Sequence, residues 1–141
     1  MADGWADDVR TLLEAPSPAV LTTYRADASV LVSPVWYRWV AGTFEIVIVE
    51  DDVKLRHLAH DPRCVLVVFE SVRPFRGVEV RGTPELVEGD VTEAREAIAG
   101  RYLGVEGGKR FALERRSKPG VLLRLNAAEP RVWNLSAILP D

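Results

Sequence analysis

The 141-residue sequence contains one cysteine, Cys64, and two histidines. A single cysteine excludes an intrachain disulfide framework and a cysteine-based zinc site. His57 and His60 lie three residues apart, which suits two ligands of one metal ion, but no third ligand is evident nearby. We therefore predict that both histidines face solvent, that Cys64 packs as a small core residue, and that the chain holds no metal ion.

Long apolar runs and an excess of basic residues are also missing. The longest apolar run extends from Cys64 to Phe69, which is far too short to cross a bilayer. Lys and Arg number 18 against 21 Asp and Glu, a net charge of −3, whereas a protein that binds duplex nucleic acid normally carries a basic excess. Residues 1–8 are acidic and lack the apolar segment of a signal peptide. We expect a cytoplasmic protein that binds neither membranes nor nucleic acid.

The common motifs of nucleotide binding and hydrolysis are absent. The sequence has no Gly-x-Gly-x-x-Gly turn, no P-loop, no His-Glu-x-x-His and no Gly-x-Ser-x-Gly. The stretch from Gly104 to Gly108 is rich in glycine, but it does not connect a strand to a helix as a phosphate loop does. No motif of this kind therefore identifies a catalytic residue.

Apolar residues make up 48% of the chain, and many alternate with the period of two that is typical of strands. Phe44, Ile46 and Ile48, for example, share one face of a predicted strand. The first connections are too short for parallel crossovers, so we expect antiparallel pairing. The predicted strands are 19–25, 29–40, 43–49, 63–70, 77–87, 121–125 and 131–135.

Helical periodicity is confined to the segments around these strands. The predicted helices are 3–14, 53–60 and 91–103, whereas 106–118 is either a short helix or a loop. In the second helix, Leu55, Leu58 and Ala59 are expected to face inward. The order of elements predicts one domain, residues 1–141, that is mainly β with peripheral α-helices: a small antiparallel barrel of six or seven strands.

Two cations lie at the start of the second predicted helix. Lys54 and Arg56 are within its first turns, where free backbone N–H groups and the helix dipole favour an anion. Together these groups can hold a phosphate. The same side chains can instead form surface ion pairs with the acidic residues 50–52, and spacing alone does not decide between the two.

Three aromatic residues follow Pro34 on one predicted strand: Trp36, Tyr37 and Trp39. They can line a site for a planar ligand, or pack in the core or in an interface. A proline inside a strand also leaves a nearby backbone group without its ladder partner, and a ligand ring can pair with that group.

The order of these segments resembles the pyridoxamine phosphate oxidase-like split β-barrel superfamily, in particular its flavin and deazaflavin oxidoreductase branch. The resemblance rests on SPVWY at 33–37, VKLRHLAHDPR at 53–63 and GVEVRGTPELV at 77–87, and it extends from residue 20 to 125. Two features depart from the branch pattern. His57 replaces an asparagine, and the acidic residues 50–52 precede the lysine where a small hydroxyl residue is common.

The resemblance implies a homodimer with two cofactor sites at the subunit interface. It also implies that Lys54, assisted by Arg56, holds the cofactor phosphate. The backbone of Pro34, Val35 and Trp36 is then expected to run along the cofactor ring.

Further candidates follow from the same resemblance. His57 occupies the position of the asparagine in the phosphate segment. Arg76 and Arg131 flank strands at which the barrel is expected to pair, so they are candidates for cofactor contacts from the second subunit, with a surface role as the alternative. The catalytic residue is not identified, and Tyr37, Arg38 or His57 are the candidates for a proton donor.

The resemblance favours an oxidoreductase that uses the deazaflavin coenzyme F-420 to transfer hydride to or from a small unsaturated organic substrate. An FMN-dependent reductase or oxidase of the pyridoxamine phosphate oxidase type is the alternative. A third interpretation is a non-catalytic protein that stores a flavin or haem, for which His57 and His60 are conceivable ligands.

Overall fold

The computed structural model describes residues 4–141, so Asp3, where the first predicted helix begins, lies outside the described residues. A 3-10 helix, Gly4–Val9, leads into α1, and another, Ser136–Ile138, follows the last strand. The α-helices are α1 (Arg10–Glu14), α2 (Val53–His60), α3 (Thr92–Leu103) and α4 (Val105–Glu114). The strands are β1 (Ala19–Tyr24), β2 (Val30–Val35), β3 (Arg38–Val40), β4 (Thr43–Val49), β5 (Cys64–Phe69), β6 (Gly77–Gly82), β7 (Glu85–Gly89), β8 (Gly120–Asn126) and β9 (Arg131–Trp133).

The strands form two antiparallel sheets. The order is β2-β1-β5-β6-β9 in the first sheet and β3-β4-β8-β7 in the second. Each strand pair in the described residues is antiparallel. This arrangement, with helices at the periphery, confirms the predicted mainly β class and the antiparallel pairing.

The two longest predicted strands are each divided between the sheets, which raises the number of strands in residues 4–141 to nine. Segment 29–40 forms β2 in the first sheet and β3 in the second, with a break at Trp36 and Tyr37. Segment 77–87 likewise forms β6 and β7, and the chain changes sheets at Thr83 and Pro84. From the sequence, Pro34 indicates an interruption of the first segment and Pro84 a bulge or edge in the second. The prediction of one strand for each segment is nevertheless wrong, because a period-two pattern does not show where a strand leaves its ladder.

The core lies between the two sheets. Phe44, Ile46 and Ile48 of β4 are buried there, as predicted, against Leu66 of β5 and Leu123 of β8. Burial of these side chains removes their apolar surface from water, which is the dominant favourable term in folding.

The helices differ from prediction in two respects. In α2, Leu58 is buried, but Ala59 is exposed, so its predicted inward orientation is wrong. Consecutive residues of a helix point in different directions, so the side chains at positions 58 and 59 are not buried equally when only one face of α2 packs against the strands. Segment 106–118, left undecided by its polar composition, is largely helical as α4. No helix in residues 4–141 is long and apolar enough to cross a membrane.

Helices α3 and α4 form a tight hairpin joined at Gly104, whose φ of 83° is a conformation that favours glycine. The close approach of the two helices is possible because glycines meet. A Cβ atom at Gly108 would lie 2.6 Å from the Cα atom of Gly100. This hairpin brings the last turn of α4 towards β4 and β8, where it forms part of the site described next.

Candidate functional site

A cavity of about 720 Å³ lies between the two sheets and the α3–α4 hairpin. Its volume is within the range of pockets that hold small organic ligands. The sheet side is apolar, with Pro34 and Val35 from β2, Val20 from β1, and residues 46–49 of β4. The cavity therefore offers an apolar slot for a flat molecule and limits the water that reaches it.

One end of the cavity contains the pair Asp52 and Lys54. Asp52 is the N-cap of α2: its Oδ1 accepts a hydrogen bond from the Lys54 backbone N–H at 2.9 Å. The Lys54 Nζ also donates to both Asp52 carboxylate oxygens, at 3.3 and 3.1 Å. The backbone N–H of Lys54, which was expected to be free for an anion, is thus bound by the cap. Of the acidic residues 50–52, it is Asp52 that pairs, and it pairs with Lys54 rather than with Arg56.

Asp52 keeps its negative charge in this arrangement. Partial burial opposes ionisation, but the hydrogen bonds and the positive charge of Lys54 outweigh it and hold the pKa of Asp52 below its usual value. Only 15% of the Lys54 side chain is exposed, so the ammonium is held in place rather than free in solvent. It has three N–H donors, which allows it to bind an incoming anion while it stays paired with Asp52.

Two arginines from the hairpin line the cavity wall opposite the apolar strands. Arg95 is only 5% exposed, and its Nη1 donates to the backbone carbonyls of Arg115 and Lys118 at 2.9 and 3.0 Å. Its Nη2 is buried against Gly120 and has no hydrogen-bond partner among the described residues. Burial, and then the nearby charge of Arg115, lower the pKa of Arg95.

Four aromatic rings line the cavity, and three of them, Trp36, Tyr102 and Phe111, form a cluster apart from Phe69. The rings of Trp36 and Tyr102 are stacked, with centroids 5.1 Å apart and planes 10° apart, and Phe111 lies 5.3 Å from Trp36. The Tyr102 hydroxyl donates to the Ser17 carbonyl at 3.0 Å, and burial raises the pKa of Tyr102 to about 12. The Tyr102 hydroxyl therefore stays protonated near neutral pH and binds the Ser17 carbonyl, while the ring packs against Trp36.

The structure brings only part of the predicted site together. Lys54, Pro34, Val35 and Trp36 all line the cavity, whereas Arg56, His57, Arg76 and Arg131 do not. The His57 ring Nδ1 is paired with the buried Thr23 hydroxyl at 3.0 Å.

The other two arginines form ion pairs elsewhere. Arg76 is paired with Glu70 at 2.8 Å, and it also donates to Thr11 at 2.7 Å. Arg131 is paired with Glu79 at 3.2 Å. In this chain, therefore, both arginines hold parts of the first sheet and its flanking segments together.

The candidate proton donors also lie outside the cavity lining. Tyr37 is fully buried in the core, where its hydroxyl donates to the Leu13 carbonyl at 3.0 Å. Arg38 is paired with Glu45 and Glu93 at 2.6 and 2.9 Å.

Cys64 is buried, as predicted, and burial raises the pKa of its thiol to about 12.

Most residues of the lining were not predicted as site residues, among them the four charged or aromatic side chains of the hairpin wall: Arg95, Tyr102, Phe111 and Arg115. For Arg95 a signal did exist. It lies four residues after Val91 and three before Ile98, so helical spacing places it on the same face of the predicted helix 91–103 as these apolar residues. A charged residue on such a stripe is itself unusual. Phe111 and Arg115 belong to a segment whose helical state was undecided, so no pattern placed them in the site.

The sequence profile of the pyridoxamine 5'-phosphate oxidase family matches residues 6–134. The chain belongs to this family. The match confirms the resemblance at the level of the superfamily and extends it over the cavity and both sheets. No curated protein matches the sequence significantly.

Several solved structures are similar to this family member. An F420 reductase is 21% identical, with a TM-score of 0.70 over 86% of this chain and 94% of its own. A conserved hypothetical protein of Mycobacterium tuberculosis is 22% identical, with a TM-score of 0.77 over 96% and 88%. A haem storage protein of Vibrio cholerae is 13% identical, with a TM-score of 0.65 over 89% and 92%. At these identities the likeness establishes the split-barrel fold alone.

Proposed function

We propose that this protein is an oxidoreductase that binds the deazaflavin coenzyme F-420 in the cavity and transfers hydride to or from a small unsaturated organic substrate. The observation that carries the proposal is the cavity itself, an apolar slot with an aromatic wall and a fixed ammonium group at one end. A tricyclic ring with a phosphate on its side chain has the matching chemistry. The F420 reductase among the similar structures supports the choice of cofactor.

The residues present fit such a cofactor. Pro34, Val35 and Trp36 form one wall of the slot, and the alternate side chains of β2 are half-buried, which leaves room for a ring to cover them. Lys54 binds the phosphate while Asp52 orients its ammonium. When bound, the cofactor supplies the hydride chemistry. The chain excludes water and fixes the orientation of the ring, which are the contributions that a protein makes to such a reaction.

FMN is the alternative cofactor, because it shares the tricyclic ring and the phosphate that the cavity accommodates. The haem alternative has less support. Neither His57 nor His60, the two conceivable axial ligands, lines the cavity. Binding of each cofactor to the purified protein decides between them.

A bulky residue at position 35 tests where the ring binds. Val35→Trp fills part of the slot, so we expect F-420 and FMN to bind at least about tenfold more weakly, since a side chain forced into an occupied space costs about 1–3 kcal/mol. Fluorescence titration measures the affinity, and circular dichroism checks the fold. Val40→Trp is the matched control, because Val40 is 46% exposed and lies outside the cavity lining. Equal affinities for the Val35→Trp variant and the wild type would show that the ring binds elsewhere.

We propose further that the protein is a homodimer. The β2 side chains Val30 and Val32 are 44% and 54% exposed, and they continue into Pro34, which lines the cavity. Pro34 is paired with Val20 of β1, which in turn is paired with Val67 of β5. The outward side of the first sheet thus presents an apolar strip, from Val30 and Val32 through Pro34 to Val20 and Val67, that extends to the mouth of the cavity. A second copy on this face covers the cavity, as the resemblance implies.

This proposed interface differs from the aromatic one that the sequence suggests, because a small barrel is not expected to bury all of its aromatic residues, Trp36, Tyr37, Trp39, Phe75 and Trp133. Tyr37 is fully buried, and Trp39 packs against the core with Trp5. Trp36 is 37% exposed, and Phe75 and Trp133 are half-buried, so these three still fit the expectation.

A charge placed on this apolar face tests the dimer. Val32→Glu puts a carboxylate in the proposed interface, where an unpaired charge is costly to bury, so we expect a monomer at micromolar protein concentration. Val72→Glu is the control, since Val72 is 62% exposed in the loop after β5 and is expected to leave the dimer intact. Sedimentation velocity measures both. A monomeric wild type, or a Val32→Glu variant as dimeric as the wild type, contradicts the proposed interface.

A further inference from the structure

The charges around the cavity do not balance. The charged residues among its described lining are Asp52, Lys54, Arg95 and Arg115, one acidic and three basic. Asp52 is paired with Lys54 at 3.1 Å, so the carboxylate and the ammonium offset each other. The hairpin wall therefore carries two guanidinium charges that no lining carboxylate neutralises.

The burial of Arg95 at this position is unfavourable in free energy. Arg95 is 95% buried, since only 5% of it is exposed, yet it forms no ion pair in the described structure, and its Nη2 has no hydrogen-bond partner there. Its Nη1 is fixed by the carbonyls of Arg115 and Lys118. A buried charge without a counter-charge is strongly unfavourable, and an anion bound nearby offsets that cost.

Arg115 is the group that can reach such an anion. Its guanidinium lies over the Phe111 ring, 3.7 Å from the centroid, and Nη1 approaches the Phe111 carbonyl at 3.4 Å. Among the described residues, its one ion-pair partner is Glu114 at 3.7 Å, whose side chain is 62% exposed. Such an exposed pair is weak and leaves the remaining N–H donors of Arg115 available.

The aromatic cluster lies next to these charges. Phe111 contacts both the Arg115 guanidinium and the ring of Trp36, which is stacked on Tyr102. A planar ligand on this cluster gains aromatic contact, and a negatively charged group at its edge meets Arg115.

We propose that the hairpin wall is a second anion site, in which a planar conjugated carboxylate lies on the Trp36–Tyr102–Phe111 cluster and is bound by Arg115. The proposal rests on the proposed function in assigning Lys54 to the cofactor phosphate. It names the class of the substrate: a conjugated or aromatic acid rather than a neutral molecule. Arg95 acts as a positioning residue, since it holds the backbone of Arg115 and adds positive charge behind the site.

The test compares 2-naphthoate with 2-naphthamide, which have the same planar ring and differ in charge. We expect naphthoate to bind about tenfold more tightly or better, because a charge-assisted hydrogen bond is lost in the amide. Arg115→Gln is expected to abolish this preference. Arg116→Gln is the matched control, because Arg116 is the exposed neighbour outside the cavity lining, and it is expected to keep the preference. Isothermal titration measures each affinity.

Arg95 is tested by Arg95→Lys, which keeps the charge but loses the paired contacts of the guanidinium. We expect the preference for naphthoate over naphthamide to fall several-fold, with naphthamide affinity unchanged. A purely structural role would weaken both probes equally. If the variant does not fold, Arg115→Gln and Arg116→Gln still decide the proposal.

The titrations are carried out on the protein alone and on the protein loaded with FMN or F-420. Binding of naphthoate without loss of the bound cofactor supports a second ligand, whereas displacement of the cofactor assigns the anion site to the cofactor and overturns the proposal. Equal affinities of the wild type for naphthoate and naphthamide also overturn it. Failure of both cofactors to bind counts against the proposed function instead, and the anion site is then judged on the unloaded protein.

Discussion

The Lys54→Ala variant is expected to bind F-420 and FMN about ten- to a hundred-fold more weakly than the wild type. A hydrogen bond to a charged group contributes about 1.5–3 kcal/mol, and each factor of ten in affinity corresponds to about 1.4 kcal/mol. Loss of the lysine also leaves Asp52 at the same end of the cavity without its partner. Its negative charge then opposes the phosphate, so we expect a loss towards the upper end of this range.

Fluorescence titration at several salt concentrations measures this effect. Salt is expected to weaken binding to the wild type more than to the variant, because one charged contact has been removed. Lys109→Ala is the control, since Lys109 is an exposed residue of α4 outside the cavity lining. Riboflavin, which has the ring but no phosphate, is expected to bind the wild type and Lys54→Ala alike. An equal loss for riboflavin and FMN would mean that Lys54 acts elsewhere than at the phosphate.

Glu45→Gln is expected to lower the free energy of unfolding by about 3 kcal/mol. Glu45 is only 6% exposed and binds two arginines, Arg38 at 2.6 Å and Arg124 at 3.0 Å. Removal of one charge from a buried ion pair costs about 3–5 kcal/mol. The lower value applies here because Arg38 keeps its pair with Glu93 and Arg124 is 40% exposed.

Thermal and urea unfolding measure this change, with a midpoint expected to fall by about 10 °C at roughly 2–4 °C per kcal/mol. Glu85→Gln is the matched control. Glu85 approaches the same Arg124 at 3.6 Å, but its side chain is 66% exposed, so its loss is expected to cost at most about 1 kcal/mol. Similar effects of the two variants would contradict the role given to the buried network. Arg38 of β3 belongs to this network and also pairs with Glu93 of α3. It therefore connects α3 to the second sheet and does not face the cavity.

Local sequence patterns predicted most of the fold. The alternation in Thr43–Val49 and the periodicity that ends at Gly104 gave the bounds of β4 and the end of α3 as the structure has them. The breaks at Trp36 and Pro84 were missed, because a strand that changes sheets keeps its alternation on both sides of the break. Ala59 was misplaced because one residue turns a helix by about 100°, enough to move a small side chain from the packed face to solvent.

The site residues likewise fall into two groups, those that the sequence indicated and those that it did not. Lys54 and Val35 could be selected through the family resemblance, whereas their local context, a helix start and a proline-containing strand, left other roles open. Arg95 and Arg115 join the cavity only through long-range packing, in which Gly108 and Gly100 let α4 lie close to α3. Local patterns do not report such a juxtaposition. Whether Arg76 and Arg131 contact a cofactor from the second subunit stays a prediction, as does a cofactor contact of Arg56 and His57 beside Lys54.

The most direct test of the central claim is a parallel titration of the purified protein with F-420, FMN and haem, followed by fluorescence and absorbance. We expect saturable binding of F-420 or FMN at one equivalent per chain, with affinity reduced in Val35→Trp and Lys54→Ala. Saturable binding of haem with no binding of either F-420 or FMN would contradict it.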